Sequence, residues 1–243
     1  MMHEPRVALI TGASRGLGLE VARLCARRRM PLVLTARGAE ALEAAAAALR
    51  PLTEVVALAG DVADPAHAER LVRLGVARFR RVDVLVNNAS TIGPSPMPTL
   101  EAYPPEALAE VLRVNLLAPL RLAQLVLPAM RARRAGVIVN VTSDAAVQAY
   151  PGWGGYGTSK AALEQLSRVL AAELEGSGVR VYVVDPGDMN TQMHRDAEPG
   201  ADLSALPGPE QVAPAIARLI EEETAPFGRF EAQKLGAVVA RAG

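Results

Sequence analysis

The stretch Val7-Ala8-Leu9-Ile10-Thr11-Gly12-Ala13-Ser14-Arg15-Gly16-Leu17-Gly18 decides how the chain folds. Arg6 to Thr11 reads as a buried strand, and Leu17, Val21 and Leu24 then recur at helical spacing over Gly16 to Arg29. Between the two lies a turn whose glycines are spaced GxxxGxG. Glycine lets a backbone turn sharply and approach a pyrophosphate, whose charge is met by free N–H groups at a helix N-terminus. Strand, glycine turn and helix in that order open a βα unit. Gly12, Ser14, Arg15, Gly16, Leu17 and Gly18 are therefore candidate cofactor contacts.

The alternation continues along the chain. Further strands are expected at Leu32–Ala36, Val55–Leu58, Val82–Val86, Val137–Val141 and Val179–Val184. Helices are expected at Ala39–Leu49, from the Asp64-Pro65 cap to about Phe79, from about Pro105 to Arg133, at Tyr156–Glu175 and at about Glu210–Glu223. Pro119 is expected to kink the long helix near Asn115. Nearly uninterrupted apolar strands separated by helices imply a parallel sheet covered on both faces. The expected fold is α/β, a single doubly wound Rossmann-type domain over residues 1–243 with a mostly parallel sheet of about seven strands. Ligands bind beyond the carboxyl ends of such strands. Residues 186–209 form a connection with no clear period, far longer than the usual two to six or so residues, and are a candidate substrate lid.

Composition narrows the partners. The chain has 243 residues, half of them apolar, and 26 basic against 26 acidic side chains. Zero net charge gives no long-range attraction to phosphate, so neither nucleic acid nor a membrane surface is an expected partner. No stretch reaches the roughly 18 uncharged apolar residues of a spanning helix, and the N-terminus lacks a signal-peptide pattern. Cys25 is the only cysteine, which points to a reducing, cytoplasmic setting. His3, His67 and His194 lack ligand spacing, and no metal site is expected. All basic residues but Lys160 and Lys234 are arginine, and asparagine occurs only at 87, 88, 115, 140 and 190. The places where these scarce residues are kept are informative.

Tyr156-Gly157-Thr158-Ser159-Lys160 sets a phenol and an ammonium at i and i+4, on one helix face about 5–6 Å apart. At an effective dielectric near 20 that charge is worth about two pK units, bringing the tyrosine from about 10 towards 8. Such a phenol exchanges protons near neutral pH. Ser143, at the end of the fifth strand, reaches the same rim and can hydrogen-bond a carbonyl oxygen. The second strand ends at Arg37, without the acid that binds the ribose 2′-hydroxyl of NAD. Arg37 and Arg15 can pair with a 2′-phosphate, so NADP (NADPH) is the expected cofactor.

Together these motifs resemble the short-chain dehydrogenase/reductase family, in its branch with subunits of about 250 residues. The resemblance runs from Thr11 to about Thr191. It implies that Thr11, Gly12, Gly16 and Gly18 match the family's TGxxxGxG and that Asn115, Ser143, Tyr156 and Lys160 match its catalytic tetrad. Asp61-Val62 matches the adenine contact, Asn87-Asn88-Ala89 the NNAG turn beside the cofactor, and Pro186-Gly187 through Thr191 the PGxxxT segment near the nicotinamide amide. By the same resemblance Tyr156 is the general acid/base, Ser143 polarises the substrate oxygen, Lys160 lowers the tyrosine pKa and holds the ribose, and Asn115 anchors a water. A homo-oligomer, dimer or tetramer, built on the two long helices is implied as well.

The chain departs from the pattern in places. Ser90 stands where NNAG has glycine, as in the NNAS of many pteridine reductases, and Phe227–Gly243 lacks the DGG-type end of 3-oxoacyl-carrier-protein reductases. The function expected is an NADPH-dependent oxidoreductase moving hydride between nicotinamide and a small carbonyl or alcohol. A 3-oxoacyl or pteridine reductase is the alternative, and a non-catalytic NADP-binding sensor is the rival from another class.

Overall fold

The computed structural model describes residues 5–235. Seven strands form one sheet: β1 (Ala8–Thr11), β2 (Leu32–Ala36), β3 (Val55–Ala59), β4 (Val84–Asn87), β5 (Gly136–Val141), β6 (Val179–Asp185) and β7 (Phe227–Glu231). Their order is β3-β2-β1-β4-β5-β6-β7 and every pairing is parallel. The last strand lies in the C-terminal segment whose sequence departed from the acyl reductase pattern. Residues 236–243 lie outside the described part.

Side chains along a strand point alternately to opposite faces, and the two faces carry separate cores. Ala8, Ile10, Leu32, Leu34, Val84, Val86, Val137, Val139, Tyr182 and Val184 share one cluster with α1 (Gly16–Arg27), α2 (Ala39–Leu49) and α8 (Pro209–Glu221). Leu9, Val33, Leu85, Ile138 and Val181 face the other, with α3 (Pro65–Phe79), α5 (Ala118–Arg133) and α6 (Gly154–Glu173). Both faces being covered explains why the strands read as continuous apolar runs. At the amino-terminal edge, buried Asp83 accepts from Val7 N at 2.9 Å, Arg81 Nε at 2.7 Å and Arg133 Nη2 at 3.3 Å. That knot ties β1, β4 and α5 together at the end opposite the site.

Two expectations of regular structure change. The long helix is three pieces: α4 (Pro105–Leu112), a π turn over Arg113–Leu117, and α5. Pro119 has no N–H for the carbonyl of Asn115 four residues back, and the ladder widens so that Ala118 N–H bonds Arg113 O. A wide turn thus sits at Asn115. This helical run is long and apolar enough to cross a bilayer by length and composition alone, but its Leu122, Val126 and Met130 are buried against the sheet. The 186–209 connection also holds a short helix, α7 (Gln192–Ala197), whose start is capped by Thr191 Oγ1 accepting from His194 N at 3.3 Å.

Candidate active site

β1 and β4 are neighbours although β2 follows β1 in sequence, so crossovers leave in opposite directions from this point and open a crevice at the carboxyl ends. A cleft of about 820 Å³ lies there. Gly12, Ser14, Arg15, Gly16, Leu17, Arg37, Asp61, Val62, Asn88, Ala89, Ser143, Tyr156, Lys160, Pro186, Gly187 and Thr191 all line it. Gly18 and Asn115 do not line it and act from behind.

Gly18 is where helix meets strand. A Cβ there would lie 2.4 Å from the carbonyl oxygen of Gly12 and 2.5 Å from Asn88 Nδ2. The turn is braced across the crevice: Thr11 Oγ1 accepts from Asn88 N at 3.0 Å and Ala89 N at 2.9 Å, and Asn88 Nδ2 donates to Thr11 O at 2.9 Å. Helix α1 begins without a side-chain cap and without an acid in its first turn, so its first N–H groups are left for an anion. Gly16, at φ +57°, has nothing within 4 Å of where a Cβ would stand, which leaves backbone open to the cleft. Arg15 and Arg37 are exposed on the lip, and neither has an ion-pair partner among the described residues. These features fit a phosphorylated dinucleotide.

Tyr156 and Lys160 do share a face of α6, with the ammonium 5.4 Å from the ring centroid. The electrostatic consequence differs from the sequence expectation. Burial pushes the phenol well above its ordinary range, with the carboxylates of Asp185 and Asp144 adding to it. Burial also pulls Lys160 down from 10.5 to about 7. The ammonium that was to draw the tyrosine towards 8 is itself desolvated, and burial outweighs it. Lys160 Nζ donates to Val141 O at 2.8 Å and to no other group among the described residues. An ammonium has three donors, so two protons are free for oxygens of a ligand such as ribose hydroxyls.

Asn115 is buried and saturated. Its Oδ1 accepts from Thr91 N at 2.9 Å and Ser90 Oγ at 3.1 Å, and its Nδ2 donates to Thr91 O at 2.8 Å and Ser159 Oγ at 2.9 Å. A primary amide offers no more than two donors and two lone pairs, so this side chain is fully engaged in holding the loop and α6, while the Asn115 backbone carbonyl has no N–H of Pro119 to accept from. Ser143 Oγ gives its proton to Asp144 Oδ1 at 2.9 Å and accepts from Ala145 N at 3.1 Å. Burial works against the Asp144 carboxylate, but bonds from Tyr150, Ser143 and Ala145 N hold it below the usual range.

Several neighbours were not singled out from sequence. Asp144 had no signal beyond following Ser143. Arg229 on β7 binds buried Glu164 at 2.9 Å and Asp185 at 3.5 Å, and Glu164 accepts from Thr142 Oγ1 at 3.0 Å. No spacing rule connects residues this far apart. Trp153 is part of the cleft wall: it meets Tyr156 edge-on with centroids 5.6 Å apart and packs with Ile92, Ala145, Ala197 and Met193. Cys25 is buried in the core, with its thiol pushed up to about 12 by desolvation.

A family model described as short chain dehydrogenase matches residues 6–202. The chain is 37% identical over 190 residues to 2-(R)-hydroxypropyl-CoM dehydrogenase of Xanthobacter autotrophicus, covering 77% of this chain and 76% of that one. It is 32% identical over 233 residues to the 3-oxoacyl-[acyl-carrier-protein] reductase FabG of Escherichia coli, covering 93% of each. Among solved structures, an alcohol dehydrogenase from the archaeon Thermococcus sibiricus, complexed with 5-hydroxy-NADP, superposes with a TM-score of 0.84 at 29% identity, over 94% of this chain and 96% of that one.

Proposed function

The chain belongs to the short-chain dehydrogenase/reductase family and is an oxidoreductase, and from that premise we propose that it is an NADPH-dependent reductase of a small ketone or aldehyde, also able to run as an alcohol dehydrogenase. The observation that carries this reading is Lys160, an ammonium kept almost wholly out of water beneath Tyr156 with two donors unspent.

The nicotinamide, when bound, gives or takes the hydride. The turn from Gly12 to Gly18 and the open N–H groups of α1 hold the pyrophosphate, Arg15 and Arg37 take the 2′-phosphate, and Asp61 and Val62 flank the adenine. Asn88 and Ala89 would carry the floor, and Pro186, Gly187 and Thr191, which line the same cleft, would hold the amide. Tyr156 gives its proton to the substrate oxygen in reduction and removes it in oxidation. Acceptors brought to the two spare protons of Lys160 favour its charged form, and that charge in turn favours the phenolate. Ser143 holds the substrate oxygen once its hydroxyl turns away from Asp144. Asn115 fixes the loop of Ser90 and Thr91 against α6. The apolar side of the cleft, Ile92, Trp153 and Met193, takes the carbon skeleton.

The coverage of the E. coli relative keeps a 3-oxoacyl thioester in view as a second substrate class. We also propose a cytoplasmic homo-oligomer, dimer or tetramer. Leu117 and Val169, both large and exposed, lie on the helices that would meet. Gel filtration tests the assembly.

The test of function is a fluorescence titration with NADPH and NADH, followed by ketones, diketones, phenanthrenequinone, dihydropteridine and acetoacetyl thioester. Oxidation of NADPH by a panel member is expected. Tyr156→Phe is expected to cut turnover by about a thousandfold, within the range of general acid–base catalysis, and to leave NADPH affinity nearly unchanged. Retained turnover refutes the role of Tyr156, and tight NADPH binding without any turnover favours a sensor.

A further inference from the structure

His67 sits in the first turn of α3, buried, and does not line the cleft. Its Nε2 lies 2.8 Å from Thr35 Oγ1, and Thr35 Oγ1 lies 2.8 Å from Leu58 O. A carbonyl oxygen only accepts, so the one proton of Thr35 goes to Leu58 O. The imidazole must then carry its own proton on Nε2 and donate it to Thr35. One run of bonds thus joins α3, β2 and β3. The other ring nitrogen, Nδ1, is buried with no hydrogen-bond partner among the described residues. It bears on Gly60, where a Cβ would lie 2.2 Å from Nδ1 and 2.5 Å from Cε1. Gly60 is not among the residues of positive φ, so glycine is required there for room.

We propose that His67 is a positioning residue for the adenine end of the cofactor, a ring wedged beneath Gly60 that sets where the loop Gly60-Asp61-Val62 stands. This rests on the cleft holding NADP with its adenine beside Asp61 and Val62. The loop continues directly from β3, and all three of its residues line the cleft. Gly60 N donates to Ala36 O at 3.0 Å, the last tie between the loop and β2. Beyond Gly60 the loop bonds to itself: Ala63 N donates to Asp61 Oδ1 at 2.9 Å, and Asp64 N to Asp61 O at 3.1 Å. Those bonds fix its shape but not its height above α3. The imidazole fixes the height, because its Nε2–H anchors it to Thr35 while its other edge bears on Gly60. Height matters because a flat purine is held by contact, and a gap of about 0.5–1 Å forfeits about a quarter to a half of the dispersion well. A buried nitrogen without a partner weighs against the fold. A leucine would avoid that, but it has no N–H for Thr35 and no rigid ring to hold Gly60.

The test uses His67→Gln, which keeps an N–H at the reach of Nε2, His67→Asn, whose amide reaches only as far as Nδ1, and His67→Ala. Each is read by its affinity for NADPH, NADH and adenosine 2′,5′-bisphosphate, and by kcat for phenanthrenequinone at saturating NADPH. His67→Ala and His67→Asn are expected to bind all three ligands about tenfold more weakly, roughly the worth of one hydrogen bond. Their kcat is not reduced, and His67→Gln stays close to the wild type. Gly60→Ala is expected to lose about as much affinity, and to add nothing when combined with His67→Ala, because its Cβ then has room. Unchanged affinities, or a loss confined to NADPH, overturn the proposal. So do a fall in kcat that matches the fall in affinity, His67→Gln as weak as His67→Ala, and losses at Gly60 and His67 that simply add. A wild type that binds neither NADPH nor adenosine 2′,5′-bisphosphate overturns the underlying reading instead.

Discussion

Replacing Lys160 by methionine is expected to make the ligand-free protein more stable while ending its turnover. Lys160 is 2% exposed and has one hydrogen bond, to Val141 O. Desolvation brings it from 10.5 to about 7, and a displacement of that size is equivalent to about 5 kcal/mol. The unfolded chain holds this proton up to about 10.5, the folded chain only up to about 7. The penalty on folding is therefore complete below pH 7 and fades as pH climbs through that window. Methionine has similar reach and no charge, but it forfeits the bond to Val141 O, at a cost of about 1–3 kcal/mol. The variant should then be about 2–4 kcal/mol more stable below neutral pH, and the advantage should vanish and reverse towards pH 10.5. Urea unfolding across that range, followed by circular dichroism and by the fluorescence of the single tryptophan, Trp153, reads the difference directly. A variant that is less stable below neutral pH, or a difference flat with pH, refutes the reasoning.

Arg15→Ala and Arg37→Ala should each weaken NADPH binding by about tenfold or more while sparing NADH, because a bond to a doubly charged phosphate is a strong one; equal losses for both cofactors would remove the 2′-phosphate assignment. Asp83→Ala, which removes the carboxylate that Val7 N, Arg81 and Arg133 share, should destabilise the fold by about 1–3 kcal/mol without changing KM, and thermal unfolding checks it. Gly18→Ala drives a Cβ into the Gly12 carbonyl. It should cost cofactor affinity and stability together, seen by titration and by melting.

The fold was legible because every central strand is covered on both faces, which writes itself as apolar runs such as Val84–Val86 and Val137–Val139. Motif spacing located the cleft's rim, since the loop after each strand is pinned to the strand's end. What stayed hidden depends on third dimensions that spacing does not carry. The π turn at Asn115 follows from a missing N–H four residues on, and the sequence marks the proline but not the widened ladder. The tyrosine's raised pKa follows first from its own burial, and a helical wheel shows the pair but not the water around it. Arg229 reaches Glu164 from a strand 65 residues later, and nothing at either position announces the other.

The order of strands also sets an order of events as the chain is made. β1 pairs with β2 at once, but its other neighbour, β4, arrives some 76 positions later, with Ala8 against Val84. Only then can Thr11 brace the glycine turn through Asn88 and Ala89. The apolar face of α1, Leu17 and Val21, waits longer still, for Val212 and Ile216 of α8 to share its core. The first helix synthesised is thus among the last to be covered. A ribosome that stops before residue 209 releases a chain holding every group the chemistry needs and a wet hydrophobic stripe beside the glycine turn. Late truncations in this gene should be lost to aggregation and proteolysis, long before any question of turnover arises.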